Sequence, residues 1–166
     1  MSRTKLIPDS DVHTAILALL ESDGEKAVAF SSVGRATGLA PATLVQRFGS
    51  RDAMLRAAIL AGWDRLGVAL TAAEATPLSP KGALKLLKSL PSASGLLNAS
   101  LRDAGLREQA ATWRKRVEAA LEIRLGDGSQ ASGTAAILFA LWHGQSAWND
   151  AGGKGFRLKD AVKRLT

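Results

Sequence analysis

The chain has 166 residues, 46% of them hydrophobic, which suits one or two small domains with a real core. It contains no cysteine, so a disulfide framework and thiolate metal ligation are excluded, and a reducing, cytoplasmic setting fits. The net charge is +7, yet residues 1–62 hold seven Lys/Arg against six Asp/Glu, so the excess lies mostly further on and points only weakly to a polyanion partner.

The opening MSRTKLIPDSD has no apolar h-region and does not read as a secretory signal. A first helix is predicted from about Asp9–Asp11, with Val12, Ile16, Leu19 and Leu20 at helical spacing and Asp23-Gly24 as its end; the acids near its ends read as caps. A very short second helix follows Phe30-Ser31-Ser32 and stops at Gly38. A third runs from Pro41, suited to a first helical turn because its missing N–H is not needed there, to Phe48. Ser50 caps a fourth helix with Leu55, Ile59, Trp63, Leu66 and Leu70 down one face. The Thr76–Pro80 stretch is the best boundary.

Beyond it, Ser79-Pro80 opens a fifth helix through Leu84, Leu87 and Leu90, which Pro91 ends, and a short segment carries Leu96, Leu97 and Leu101. A long helix follows, with Leu106, Ala110, Trp113, Val117, Leu121 and Leu125 in one stripe, and Gly126-Asp127-Gly128 stops it. The next, roughly Thr134 to Asn149, is apolar almost all round. Its run from Ala135 to Trp142 is far below the ~18–20 residues that span a bilayer, so no membrane partner is expected. Gly152-Gly153 breaks the chain before a last short helix with Leu158, Val162 and Leu165. The predicted class is all-α.

Val33, Gly34, Gly38, Leu39 and Leu44 form a pattern of their own. A helix-turn-helix needs a small residue where its helices cross, here Gly34, and a glycine four residues on for the tight turn, here Gly38. Apolar Val33, Leu39 and Leu44 would lock the pair onto the first helix. The helix begun by Pro41 would then point its N-terminus outward, able to enter a major groove with Thr43, Gln46 and Arg47 on the outer face. Glutamine pairs with adenine edges, arginine with guanine or phosphate. An ordinary helical hairpin with a glycine turn accounts equally well for the glycine spacing alone.

The wider string FSSVGRATGLAPATLVQRFGSRDAML resembles the N-terminal domain of TetR-family transcriptional regulators over about residues 9–65. Thr43-Leu44, Phe48-Gly49-Ser50-Arg51 and Leu55 match the family pattern. Val45 stands where the family usually has an aromatic residue that contacts phosphate, Ala40 where it has a polar cap, and Arg51 where it has lysine. The usual threonine cap falls near Phe30, so Ser31 or Ser32 serves. The resemblance implies a three-helix DNA-binding head at residues 1–55, a fourth helix at 51–73 as connector, and a helical effector-binding and dimerisation domain at 56–166. It implies DNA contacts from Ser31, Ser32, Pro41, Ala42, Thr43, Gln46, Arg47 and Arg51. The partners implied are a second copy of the chain, a pseudo-palindromic duplex whose symmetry matches the dimer's, and a small-molecule effector that releases a repressor from its operator.

In the second half, Ala136, Ala140 and Gly144 recur every four residues, a spacing that lets another helix approach closely, either across a dimer interface or within the chain. Trp63, Trp113, Phe139 and His143 are the candidate ligand-binding residues, with core or interface packing as the plainer role. Arg114–Glu118 reads as a surface pair, and Lys81, Lys85 and Lys88 as solvent-facing. No enzyme motif appears: GxSxG, a P-loop and a strand-borne GxGxxG are all missing. Two histidines without cysteine do not make a usual zinc site, and no cofactor is expected. The leading expectation is a dimeric DNA-binding regulator. The alternative is a helical small-molecule-binding or protein-interaction module whose DNA-binding head has weakened.

Overall fold

A computed structural model of the chain describes residues 7–126, 128, 130–152 and 155–165. The expectation for the first six residues, and the Asp127 and Gly153 members of the two glycine breaks, lie outside them. The described residues form helices joined by turns, with no strand among them.

Helix α1 (Asp9–Asp23) begins at Pro8, which holds the capping position with extended backbone and no side-chain bond. Asp9 and Asp11 therefore do not cap; they lie in the first turn, where their charge favours the unpaired N–H groups. Gly24, at φ +78°, ends the helix, and one 3-10 turn (Glu25–Ala27) leads on. Helix α2 (Phe30–Thr37) is closed by Gly38 in the left-handed conformation, whose N–H donates to the Gly34 carbonyl at 2.8 Å. Helix α3 (Pro41–Phe48) follows without a side-chain cap at Ala40. A methyl group on Gly34 would stand 2.7 Å from the Leu39 carbonyl oxygen, so the absence of a side chain is what lets α2 touch the turn into α3.

Helix α4 (Arg51–Ala73) is capped by Ser50, whose Oγ accepts from the Ala53 N–H at 3.1 Å. It packs against α1 and α3 on one side and against α5 (Pro80–Ser89), α6 (Ser94–Ser100) and α7 (Ala104–Leu125) on the other. Ser79 caps α5 and Asp103 caps α7, each accepting from the N–H three residues on. Helix α8 (Ala131–Ala147) packs along α7, and α9 (Leu158–Leu165) against α5 and α8. Helix α8 starts three residues before the expected Thr134, because the Ala-Ser-Gly run there continues the helix without a capping side chain. Its end tightens into a 3-10 turn (Asn149–Ala151) in place of helix up to Asn149.

One continuous apolar cluster runs through these helices, from Val12 and Leu44 at one end to Leu138 and Val162 at the other. The α4 stripe Leu55, Ile59, Trp63, Leu66 and Leu70 is buried as its spacing predicts, and so is the α7 stripe from Leu106 to Leu121. Lys81, Lys85 and Lys88 are exposed, and Arg114 pairs with Glu118 at 2.7 Å.

Arg124 was not marked by the sequence, yet it is 3% exposed. Its Nε donates to Thr76 Oγ1 at 3.0 Å, Nη1 to the Ala120 carbonyl at 2.6 Å, and Nη2 to the carbonyls of Glu74 at 2.7 Å and Thr76 at 3.3 Å. A cation thus satisfies carbonyls in the turn leaving α4 and ties that turn to the last turn of α7.

Two substitutions test this packing. Gly34→Ala should lower unfolding stability by about 1–3 kcal/mol through backbone overpacking. Arg124→Met should lower it by about 3 kcal/mol, because buried carbonyls lose their donors. Urea unfolding monitored by helical circular dichroism reads both, with an unchanged denaturant slope.

Candidate nucleic-acid interface

A helix that is to enter a groove must keep most of its surface free of its own protein. In α3 only Leu44 is buried, and it serves as the anchor. Pro41, Ala42 and Gln46 are exposed, Thr43 is half-buried, and Val45 is 44% exposed. Gln46 makes no hydrogen bond among the described residues, so its amide is available for pairing. The Ala42 N–H is free among the described residues at the exposed start of α3, where Thr43 and Leu44 donate to the Ala40 carbonyl, and the helix N-terminus favours anions.

The structure divides the other anticipated contacts. Ser31 is exposed at the start of α2. Ser32 is turned inward and does not hold the capping position, which is Ala29 because α2 already starts at Phe30; from the third helical position its Oγ accepts from the Ala29 N–H at 3.0 Å and lies 2.6 Å from the Ala27 carbonyl. Arg47 does not stand on the open face as its position in α3 suggested. Its Nη1 donates to the Ile7 carbonyl at 2.7 Å and lies 3.4 Å from Asp9 Oδ1, straps that hold α3 to the start of α1.

Arg51 is likewise engaged inward. Its Nε donates to the Val28 carbonyl at 2.7 Å and Nη2 to the Glu25 carbonyl at 2.6 Å, with carboxylates of Glu25 and Asp52 at 3.8 and 3.1 Å. The physical reason is local. The link between α1 and α2 has carbonyls without helical partners, and the first residue of α4 lies beside them. The sequence reading also missed Arg35. It is exposed on α2 and unpaired among the described residues, and the signal was its place directly after buried Val33 and Gly34.

The candidate ligand residues come together, but as a packed cluster. Ring centroids lie 5.8 Å apart for Trp63 and Trp113, 6.0 Å for Trp113 and Phe139, and 5.9 Å for the stacked pair Phe139 and His143. Trp142, which was not among the four, completes the cluster at 5.9 Å from Phe139. The Trp63 Nε1–H donates to Ser100 Oγ at 3.0 Å, whereas Trp113 Nε1 is buried with no partner. Trp63 and Trp113 also floor a cleft of about 670 Å³ between α4 and α7, walled by Asp64, Gly67, Thr71 and Arg116. Phe139 and His143 do not line it. A larger cleft, about 1210 Å³, runs between α1, α4 and α6, with Lys26, Arg51 and Arg65 on its walls.

On α8, Ala135, Leu138, Phe139 and Trp142 face the core, and the small-residue row lies on another side. Ala140 is exposed, and nothing lies within 4 Å of where a Cβ would sit on Gly144. Ile137 is 50% exposed beside this row and Trp148 64% exposed at its end. Among the described residues no helix covers the Ala140–Gly144 side, while Ile137 borders a cleft against α9. Among the described residues no helix is long and apolar enough to cross a membrane, and no cluster of His, Cys, Asp and Glu is arranged to hold a metal ion.

No family model and no curated protein matches the sequence. Solved structures do match the fold. A TetR transcriptional regulator of Legionella pneumophila superposes with a TM-score of 0.72 at 17% identity, over 99% of this chain and 96% of that one. A candidate transcriptional regulator of Saccharomonospora viridis, solved in complex with choline, gives 0.73 at 15% identity, over 95% and 92%. The multidrug binding protein EbrR, complexed with imidazole, gives 0.63 at 21% identity, over 97% and 94%. What these molecules share with the chain is the whole helical architecture, head and body together.

Both histidines resist protonation. Burial lowers the pKa of His13, which packs against Phe48 of α3 at 6.0 Å; Asp9 partly opposes the shift and Arg65 adds to it. Burial also lowers that of His143, with Arg114 adding to it. The unfolded chain therefore binds more protons just below pH 6.5, and stability must fall as pH drops through that value toward the lowered native pKa. Thermal unfolding should show a decreasing melting temperature from pH 7.5 to 5.5, and the double variant His13→Gln with His143→Gln should flatten this dependence.

Proposed function

We propose that the chain is a sequence-specific DNA-binding transcriptional regulator that acts as a homodimer and responds to a small molecule. The observation that carries this reading is α3. Leu44 is its one fully buried side chain on a glycine-turned scaffold, Arg47 straps it to Ile7, and exposed Gln46 with half-buried Thr43 is left toward a groove. The likeness of the complete fold to regulators supports it. In this reading residues 1–55 form the head and 56–166 the body, with α4 joining them. Pro41, Ala42, Thr43 and Gln46 meet the groove, Ser31 and Arg35 flank it, and Arg47 offers phosphate the N–H groups its strap leaves free.

The dimer forms through the uncovered face of α8, where Ala136, Ala140 and Gly144 permit close approach and Ile137 supplies apolar area. An effector occupies the α4–α7 cleft, against the Trp63 and Trp113 floor. Two of the structural neighbours were solved with choline and with imidazole, which supports a body able to take small organic molecules. The chain then represses by occupying an operator, and an effector that favours a DNA-incompetent state releases it.

The inward engagement of Arg47 and Arg51 favours a second reading, a helical ligand-binding or interaction module without strong DNA affinity. Selection from random duplexes decides between them. Enrichment of an inverted repeat supports the regulator; binding that is equal for all sequences and vanishes with salt supports the module. In the first case Gln46→Ala should lose about 1–3 kcal/mol of discrimination at one position in each half-site while leaving others intact. Ile137→Glu should yield a folded monomer by sedimentation that no longer binds the inverted repeat.

A further inference from the structure

We propose that Asp9 is a built-in competitor for DNA at Arg47, and so sets how tightly and how salt-dependently the head binds. The inference rests on the reading of α3 as the DNA-facing helix. Arg47 is in the last turn of α3, and the carboxylate of Asp9 reaches it from the start of α1 at 3.4 Å. The Asp9 side chain is 62% exposed, so it stands at the surface beside the helix that is to approach a phosphate backbone. Arg47 itself is 22% exposed and already anchored by the Ile7 carbonyl at 2.7 Å through the same nitrogen. Its Nε and Nη2 have no partner among the described residues.

The geometry separates two roles. The neutral Ile7 carbonyl fixes where the guanidinium sits and leaves its charge intact. The Asp9 carboxylate opposes that charge, so a phosphate arriving at Nε or Nη2 meets an ion pair in place of a free cation. Binding then releases about one condensed counterion fewer at each head than the count of cations implies. Residues 1–62 carry a net charge of only +1, so one competing carboxylate is a large part of the head's electrostatics.

The test uses the full chain, the duplex selected by it, and an unrelated duplex of the same length. Asp9→Asn should steepen the slope of log affinity against log salt by about 0.9 for each protomer and tighten binding about five-fold at low ionic strength. Asp11→Asn is the control, because it removes the same charge from the same exposed turn without contact to Arg47. In the Arg47→Ala background Asp9→Asn should then change the slope no further. Equal effects from Asp9→Asn and Asp11→Asn, or an effect that persists without Arg47, overturn the proposal while leaving the DNA reading in place. A wild-type chain that selects no duplex overturns the DNA reading first, and this inference with it. Melting temperatures of all variants show whether a change in slope comes with a loss of fold.

Discussion

At the crossing of α2 with the turn into α3 there is room for a hydrogen atom and no more. The Leu39 carbonyl oxygen stands 2.7 Å from where a Cβ on Gly34 would be, and Gly38 takes the left-handed conformation that turns the chain back within a few residues. Everything that makes α3 useful follows from this contact. The close crossing lets Leu44 reach the core shared with Val12, Ile16 and Val33, and this one fully buried side chain seats the helix. Arg47 on Ile7 and Phe48 on His13 fasten the last turn, and Pro41, Ala42, Val45 and Gln46 are left to the solvent.

Arginine plays a different part here from the one its charge suggests. Arg47, Arg51, Arg65, Arg107 and Arg124 all donate to main-chain carbonyls at turns and helix ends. A planar guanidinium with five donors suits such places, because several carbonyls converge where helical bonding stops. The basic character of the chain therefore serves partly as internal bracing. This is why net charge alone was a poor guide to the interface, and why exposed, unpaired Arg35 emerged only when partners were assigned.

The body shows a similar division between filling and presenting. Trp63, Trp113, Phe139, Trp142 and His143 form one aromatic cluster that joins α4, α7 and α8, and most of its area is sealed. The Trp63–Trp113 end meets the cleft between α4 and α7, and Trp142 at the other end lines a second cleft with Leu87, Leu90 and Gln145. On the far side of α8, small residues and Ile137 leave an apolar strip that stands open among the described residues, bordered by α9. A rigid core lies between two open surfaces, and α4 runs from that core to the head.

Helix α2 begins earlier than expected, at Phe30 with Ala29 in the capping position, but the all-helical class, the end of α2, the bounds of α3, the glycine turn and the buried stripes of α4 and α7 were legible in the sequence. Each depends on residues near one another in the chain: helical periodicity, a proline at a helix start, glycines where φ must be positive. The direction of long polar side chains was not legible. Arg47 and Arg51 look outward on a helical wheel, yet carbonyls tens of residues away in sequence claim them. Buried Arg124 has the same cause at the end of α7. Aromatic residues could be named as a group, but which of them meet open space depends on how α4, α7 and α8 pack. Periodicity records which face of a helix is apolar; only the folded chain decides what stands opposite that face.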